Sequence, residues 1–252
     1  HVTCARVCMQ VTDIGGQTAE GWGETPLSVQ WVWPSALSYE EREQALKTFT
    51  IQLAEAWATF ETTGHPLEVG YAFQENKLPP LLEAFNRERG NAEPMPYLAA
   101  LVCCSAFDIA LHDAYGICHQ RNTYETYNAD WMNVDLDRFF TPAEETTVSF
   151  AGTYPQDFFS SPRPNVLPAW HLVGGVDPIQ ESELDGSEPT DGYPVLLKDW
   201  IGQDGLQCLK VKLRGNDSVW DYERLVQVGQ IGEANGVRWL TTDFNCTVEH
   251  PD

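Results

Sequence analysis

The chain has 252 residues, enough for one large or two modest domains with a sizeable core. Acids outnumber Lys and Arg by 37 to 15, which leaves a formal charge of −22. Such a surface repels phosphate backbones and anionic headgroups, so the expectation is no nucleic-acid partner and no membrane partner, and an anionic substrate needs a local cation, either lysines or a metal.

The longest nearly apolar run, Tyr97 to Phe107, is too short to span a bilayer. No basic-then-apolar leader opens the chain, although a start at His1 leaves open a leader or a first strand before it. Seven cysteines, two of them adjacent and none in zinc spacing, read as reduced and mostly buried thiols of a cytosolic protein.

Residues 2 to 11, VTCARVCMQV, read as a strand. Asp13 to Gly16 supply turn chemistry, and AEGWGET follows as a second short strand or a loop. Ser38, with Glu41 three residues on, forms a capping box for a helix from Tyr39 to about Thr62, ended by Gly64 and Pro66. A second helix is expected around Pro80 to Arg89 and a third over Tyr97 to Tyr115, closed by Gly116. The third is apolar nearly all round and is expected to be deeply buried. Strands followed by helices make 1–118 an α+β domain.

Residues 119 to 165 follow no regular pattern but hold nine aromatics, too many for a disordered linker. They read as a well-packed irregular connection, or as a cover over a site or subunit contact. From 166 the pattern changes. VLPAWHLVGG and GLQCLKVKLRG are strands, the segment from Ser218 to Gly236 is a helix with Asp221 completing a cap, and VRWLTTDFN is a third strand. Strand, helix, strand with short loops is a parallel βαβ unit.

Lys210 and Lys212 flank Val211, so strand alternation puts both ammonium groups on one face. Each disfavours charging of the other, and burial does the same, which is what a lysine needs to serve as a general base. Taken alone, the pair also fits an edge strand with two snorkelling lysines. Asp243 and Asn245 repeat the spacing around Phe244. A right-handed crossover opens the ends of its two parallel strands on one edge, so the lysines and Asp243 can converge there. An isolated Asp243 reads as a cap or turn residue.

KVK, then about thirty residues, then DFN resembles the enolase superfamily, and within it the mandelate racemase and muconate lactonizing enzyme group. GWGETP at 21–26 is similar to the glycine-rich segment of that family's capping domain, SAFDIALHDAYG at 105–116 to its last capping helix, and LPAWHLVGG to its first barrel strand. The resemblance implies an α+β capping domain (1–118, expected to lack its first strand), the connection 119–165, and the first strands and helices of an incomplete (β/α) TIM-type barrel over 166–252. It implies Mg²⁺-dependent removal of the proton α to a substrate carboxylate through a metal-stabilised enediolate, as in a racemase, cycloisomerase or acid dehydratase. By position Asp243 matches the first metal ligand, Lys212 the base, Lys210 the neighbour that tunes it, and Asn245 a supporting polar group.

The implied partner is a small carboxylate, and the complete protein is expected to be a homo-oligomer. Two further acids and an opposing base would lie beyond Asp252, so the chain reads as part of a longer protein; a whole barrel takes roughly 250 residues. The alternative is a family member without chemistry, acting as an acidic scaffold. His171 faces the barrel mouth and substrate, or is a hydrogen-bonded structural histidine. Glu24 lies on a loop approaching the site, or is a turn acid. Asp108, Asp113 and His112 are expected in capping or domain-interface hydrogen bonds, and Cys246 as a small buried filler.

Overall fold

A computed structural model describes residues 2–90 and 92–244. The chain forms two compact units, 1–160 and 161–252. The stretch 119–165, read from sequence as a connection, falls mostly within the first unit.

In the first unit β1 (Cys4–Thr12) and β2 (Thr18–Pro26) make an antiparallel hairpin. Alternation sends Ala5, Val7, Met9 and Val11 inward and leaves Cys4 and Cys8 exposed. The short helix α1 (Val29–Val32) leads to α2 (Tyr39–Ala58), whose start is capped by Ser38 accepting from the Glu41 amide at 3.2 Å. Leu46, Phe49 and Leu53 of α2 are fully buried.

The expected stop at Pro66 is instead a start. Pro66 opens α3 (Pro66–Asn76), because proline lacks only an amide proton that the first helical turn leaves unused. His65 caps it, accepting from the Leu67 amide at 3.2 Å, while Glu68 accepts from the His65 amide at 3.1 Å. Next come α4 (Leu78–Glu88) and α5 (Tyr97–Cys118).

α5 is the central helix of this unit. At 22 residues it passes the length and composition test for a membrane crossing, unlike the shorter run singled out in the sequence. It is not buried all round: Ile109 and Ile117 are exposed, while Ala106, Ala110 and Ala114 are buried against the hairpin. That stripe of alanines explains the glycines of GWGET. A Cβ on Gly21 would stand 2.0 Å from the Ala114 nitrogen, and one on Gly23 would stand 2.0 Å from the Ala106 carbonyl oxygen. Only glycine lets β2 come this close. Between them, the Trp22 amide donates to Asp113 at 2.8 Å, a bond within the first unit rather than a cap or a domain interface.

The aromatic segment from 119 packs within the first unit. Met132 and Leu136 are buried, Tyr115 and His119 both meet the Trp131 ring, and Tyr71 meets Phe139. Glu68 anchors the segment: its carboxylate accepts from the Asn133 amide at 2.6 Å, the Asn133 side chain at 2.6 Å and the Val134 amide at 3.0 Å.

The second unit is a three-stranded sheet, β3 (Trp170–Val173), β4 (Cys208–Lys212) and β5 (Trp239–Asp243), parallel throughout and in the order β3-β4-β5. Among the described residues it is an open sheet, not a closed barrel. Between β3 and β4 lies α6 (Leu197–Asp204), which the sequence pattern did not reveal; between β4 and β5 lies α7 (Ser218–Ala234). Val173, Leu209 and Val211 form a core with Leu197, Ile201 and Val228 from these helices.

Candidate functional site

Each strand of the second sheet is short and β-rich, so its side chains alternate strictly between two faces. Partners in register share a face. His171, Val173, Leu209 and Val211 are therefore on one face, which the helices cover. Leu172, Lys210, Thr241, Lys212 and Asp243 are on the other.

Lys212 and Asp243 are register partners at the C-terminal ends of β4 and β5. The Lys212 ammonium stands 2.6 Å from Asp243 Oδ2, and the Lys210 ammonium, reaching along the same face, stands 2.7 Å from the same oxygen. The Lys212 and Asp243 side chains are each 24% exposed and that of Lys210 is 41% exposed. Beyond the strands the ladder continues, with the Leu213 amide donating to the Asp243 carbonyl at 2.9 Å. The site is thus partly sheltered and reachable from solvent. Among the described residues, two ammonium groups share this one carboxylate.

The structure brings together Lys210, Lys212 and Asp243. It does not bring His171 to them. Pleat parity turns His171 to the helix-covered face, where its ring lies 5.4 Å from that of Trp200 in α6. Glu24 belongs to the first unit and lies within β2 rather than on a loop, where it pairs with Arg6 at 3.2 Å. Asn245 and Cys246 lie outside the described residues.

Mg²⁺ takes oxygen ligands, commonly one or two carboxylates completed by water and substrate. Asp243 fits as one such ligand. Among the described residues no group of three or more His, Cys, Asp or Glu is placed to hold a metal ion.

Two buried charges on α7 escape a motif search. Asp221 and Arg224 occupy the helix's buried stripe together with Val228 and Gly232. That is the signal the sequence carries for them: an acid and a base at i and i+3 on positions where the helical period calls for apolar residues. The expectation that Asp221 completes a helix cap is corrected. Asp217 is the cap, accepting from the Trp220 amide at 3.0 Å, and Asp221 bonds the loop before the helix.

Elsewhere, a groove of about 1500 Å³ in the first unit runs along β1 and is lined by Trp57, Phe60, Leu111 and Trp131, among others. It holds none of the lysine and aspartate groups above. Compared with known proteins, the chain matches no family model, no curated protein and no solved structure.

Proposed function

We propose that the edge formed by Lys210, Lys212 and Asp243 serves a proton abstraction α to the carboxylate of a small substrate, in a racemase, cycloisomerase or acid dehydratase that uses Mg²⁺. The observation that carries this reading is the convergence of both ammonium groups on one Asp243 oxygen at the C-terminal edge of a parallel sheet. Open parallel α/β sheets and barrels alike bind their ligands at that edge.

Each group has a task the chemistry requires. A substrate carboxylate arriving at this edge meets two ammonium groups. Lys212, the more sheltered amine, takes the α-proton, and geometry favours it because it stands at the end of its strand. Lys210, two residues back on the same face, reaches the same Asp243 oxygen and so stands beside the base. Asp243 holds both lysines in place and offers an oxygen to Mg²⁺, which when bound stabilises negative charge developing on the substrate carboxylate.

The test is exchange of the substrate α-proton with deuterium, followed by NMR for a panel of small carboxylates that carry an α-proton, with the protein and Mg²⁺. Lys212→Ala is expected to abolish exchange on the face it serves. Exchange at the wild-type rate in that variant overturns the assignment of the base. No exchange with any member of the panel, together with no Mg²⁺ binding, favours an acidic scaffold without chemistry.

A further inference from the structure

Building on the reading of Lys212 as the base, we infer that α7 is its positioning element: Asp221 and Arg224, three residues apart, clamp the loops that leave β4 and β3 on either side of the lysine edge.

The two side chains are 7% and 6% exposed. Buried charges are costly unless they are paired or hydrogen-bonded, and these are bonded to backbone. Asp221 Oδ1 accepts from the Arg214 amide at 2.7 Å and Oδ2 from the Gly215 amide at 2.8 Å. Arg224 does the complementary work on the other loop, one Nη donating to the carbonyls of Gly174 at 2.6 Å and Asp177 at 2.7 Å. The Gly174 amide in turn donates to Asp177 Oδ2 at 2.6 Å, so Gly174 is held at both of its backbone groups. A loop that only needed cover would take an apolar residue. Two consecutive amides pointing at a helix call for a carboxylate, and two carbonyls call for a multiple donor.

The consequence reaches Lys212 through two links of chain. The Leu213 amide is tied to β5 at the Asp243 carbonyl, and the next amide, of Arg214, is tied to α7 at Asp221. The backbone leaving Lys212 therefore has no slack, and the direction of its Cα–Cβ bond is set. Burial draws the Arg224 guanidinium below its usual range, opposed by Glu183 and Asp177.

The experiment compares Asp221→Asn, Arg224→Met and Arg224→Lys in the 252-residue chain. Three quantities are read: acetylation of Lys212 by acetic anhydride relative to the exposed Lys77, amide exchange at Arg214 and Gly215, and Mg²⁺ affinity. In Asp221→Asn and Arg224→Met, Lys212 is expected to label faster relative to Lys77, with exchange rising locally and Mg²⁺ binding weakened by about tenfold. Arg224→Lys, which keeps a multiple donor, is expected to restore most of the wild-type pattern. A purely structural role would raise exchange throughout the second unit without singling out residues 212–215. Wild-type labelling and exchange in both disruptive variants overturns the clamp. If Asp221→Asn does not fold, the two Arg224 variants decide. The labelling and exchange results judge the clamp by themselves whether or not the 252-residue chain binds Mg²⁺.

Discussion

Lys212 Nζ and Asp243 Oδ2 stand 2.6 Å apart across the final register pair of two parallel strands, and Lys210 shares the same oxygen at 2.7 Å. Removing the acid takes away the carboxylate that both ammonium groups share. Asp243→Asn is expected to cost about 1–2 kcal/mol, short of a fully buried pair because solvent screens part of the charge. A double-mutant cycle in urea should give a larger coupling for Lys212 with Asp243 than for Lys210 with Asp243, since Lys210 is the more exposed. Equal couplings would contradict this ranking.

His65 makes stability depend on pH. Its Nδ1 accepts from the Leu67 amide, so Nε2 carries the proton and donates to Thr126 Oγ1 at 2.9 Å. Burial first, then the nearby His112 and His119, lowers its pKa to about 4, and Glu68 opposes the shift. In the unfolded chain a histidine titrates near 6.5. The folded form therefore resists a proton that the unfolded form accepts: the contribution is fully present above about 6.5 and is lost as pH falls toward 4, up to about 3 kcal/mol. His65→Asn, which can still cap a helix, should lower stability at pH 7 and flatten this slope. Urea midpoints at pH 7 and pH 5 measure both effects.

Gly23 tests the close approach of β2 and α5. With a Cβ 2.0 Å from the Ala106 carbonyl oxygen, Gly23→Ala forces the strand and helix apart. A loss of about 3 kcal/mol is expected, at the upper end for overpacking. Gly16→Ala provides the comparison, since a Cβ there meets no neighbouring atom and only its φ of +83° is strained. A Gly23→Ala variant as stable as wild type would refute the packing account.

Glu68 holds the aromatic segment to α3. Glu68→Ala strands the Asn133 and Val134 amides and the His65 amide without their acceptor. The expected cost is about 2–3 kcal/mol, with faster limited proteolysis inside 119–160 than inside α5. Cleavage that starts in α5 would place the weak point elsewhere.

Much of the second unit is legible in the sequence. KVK announces a strand with charges on alternate positions, LTTD a strand that ends in an acid, and the segment between them announces the helix. The pairing of Lys210 with Lys212 on one face follows from the period of two and needs no structure. The first unit is harder to read. Pro66 carries opposite meanings at a helix end and at a helix start, and only the capping partners His65 and Glu68 decide between them. The glycines of GWGET resemble a functional loop until the alanines of α5, about ninety residues away in sequence, are seen against them.

What the sequence by itself determined is which side chains share a face within one strand. What only the tertiary structure decided is which faces of different strands coincide. Register does this, and a slip of one residue would exchange the faces of a whole strand. Because Lys212 pairs with Asp243 while His171 pairs with Leu209, the aspartate joins the lysines and the histidine turns to the helices. Register in turn depends on burying Val173, Leu209 and Val211 beneath α6 and α7, a condition on the whole unit that no single strand carries.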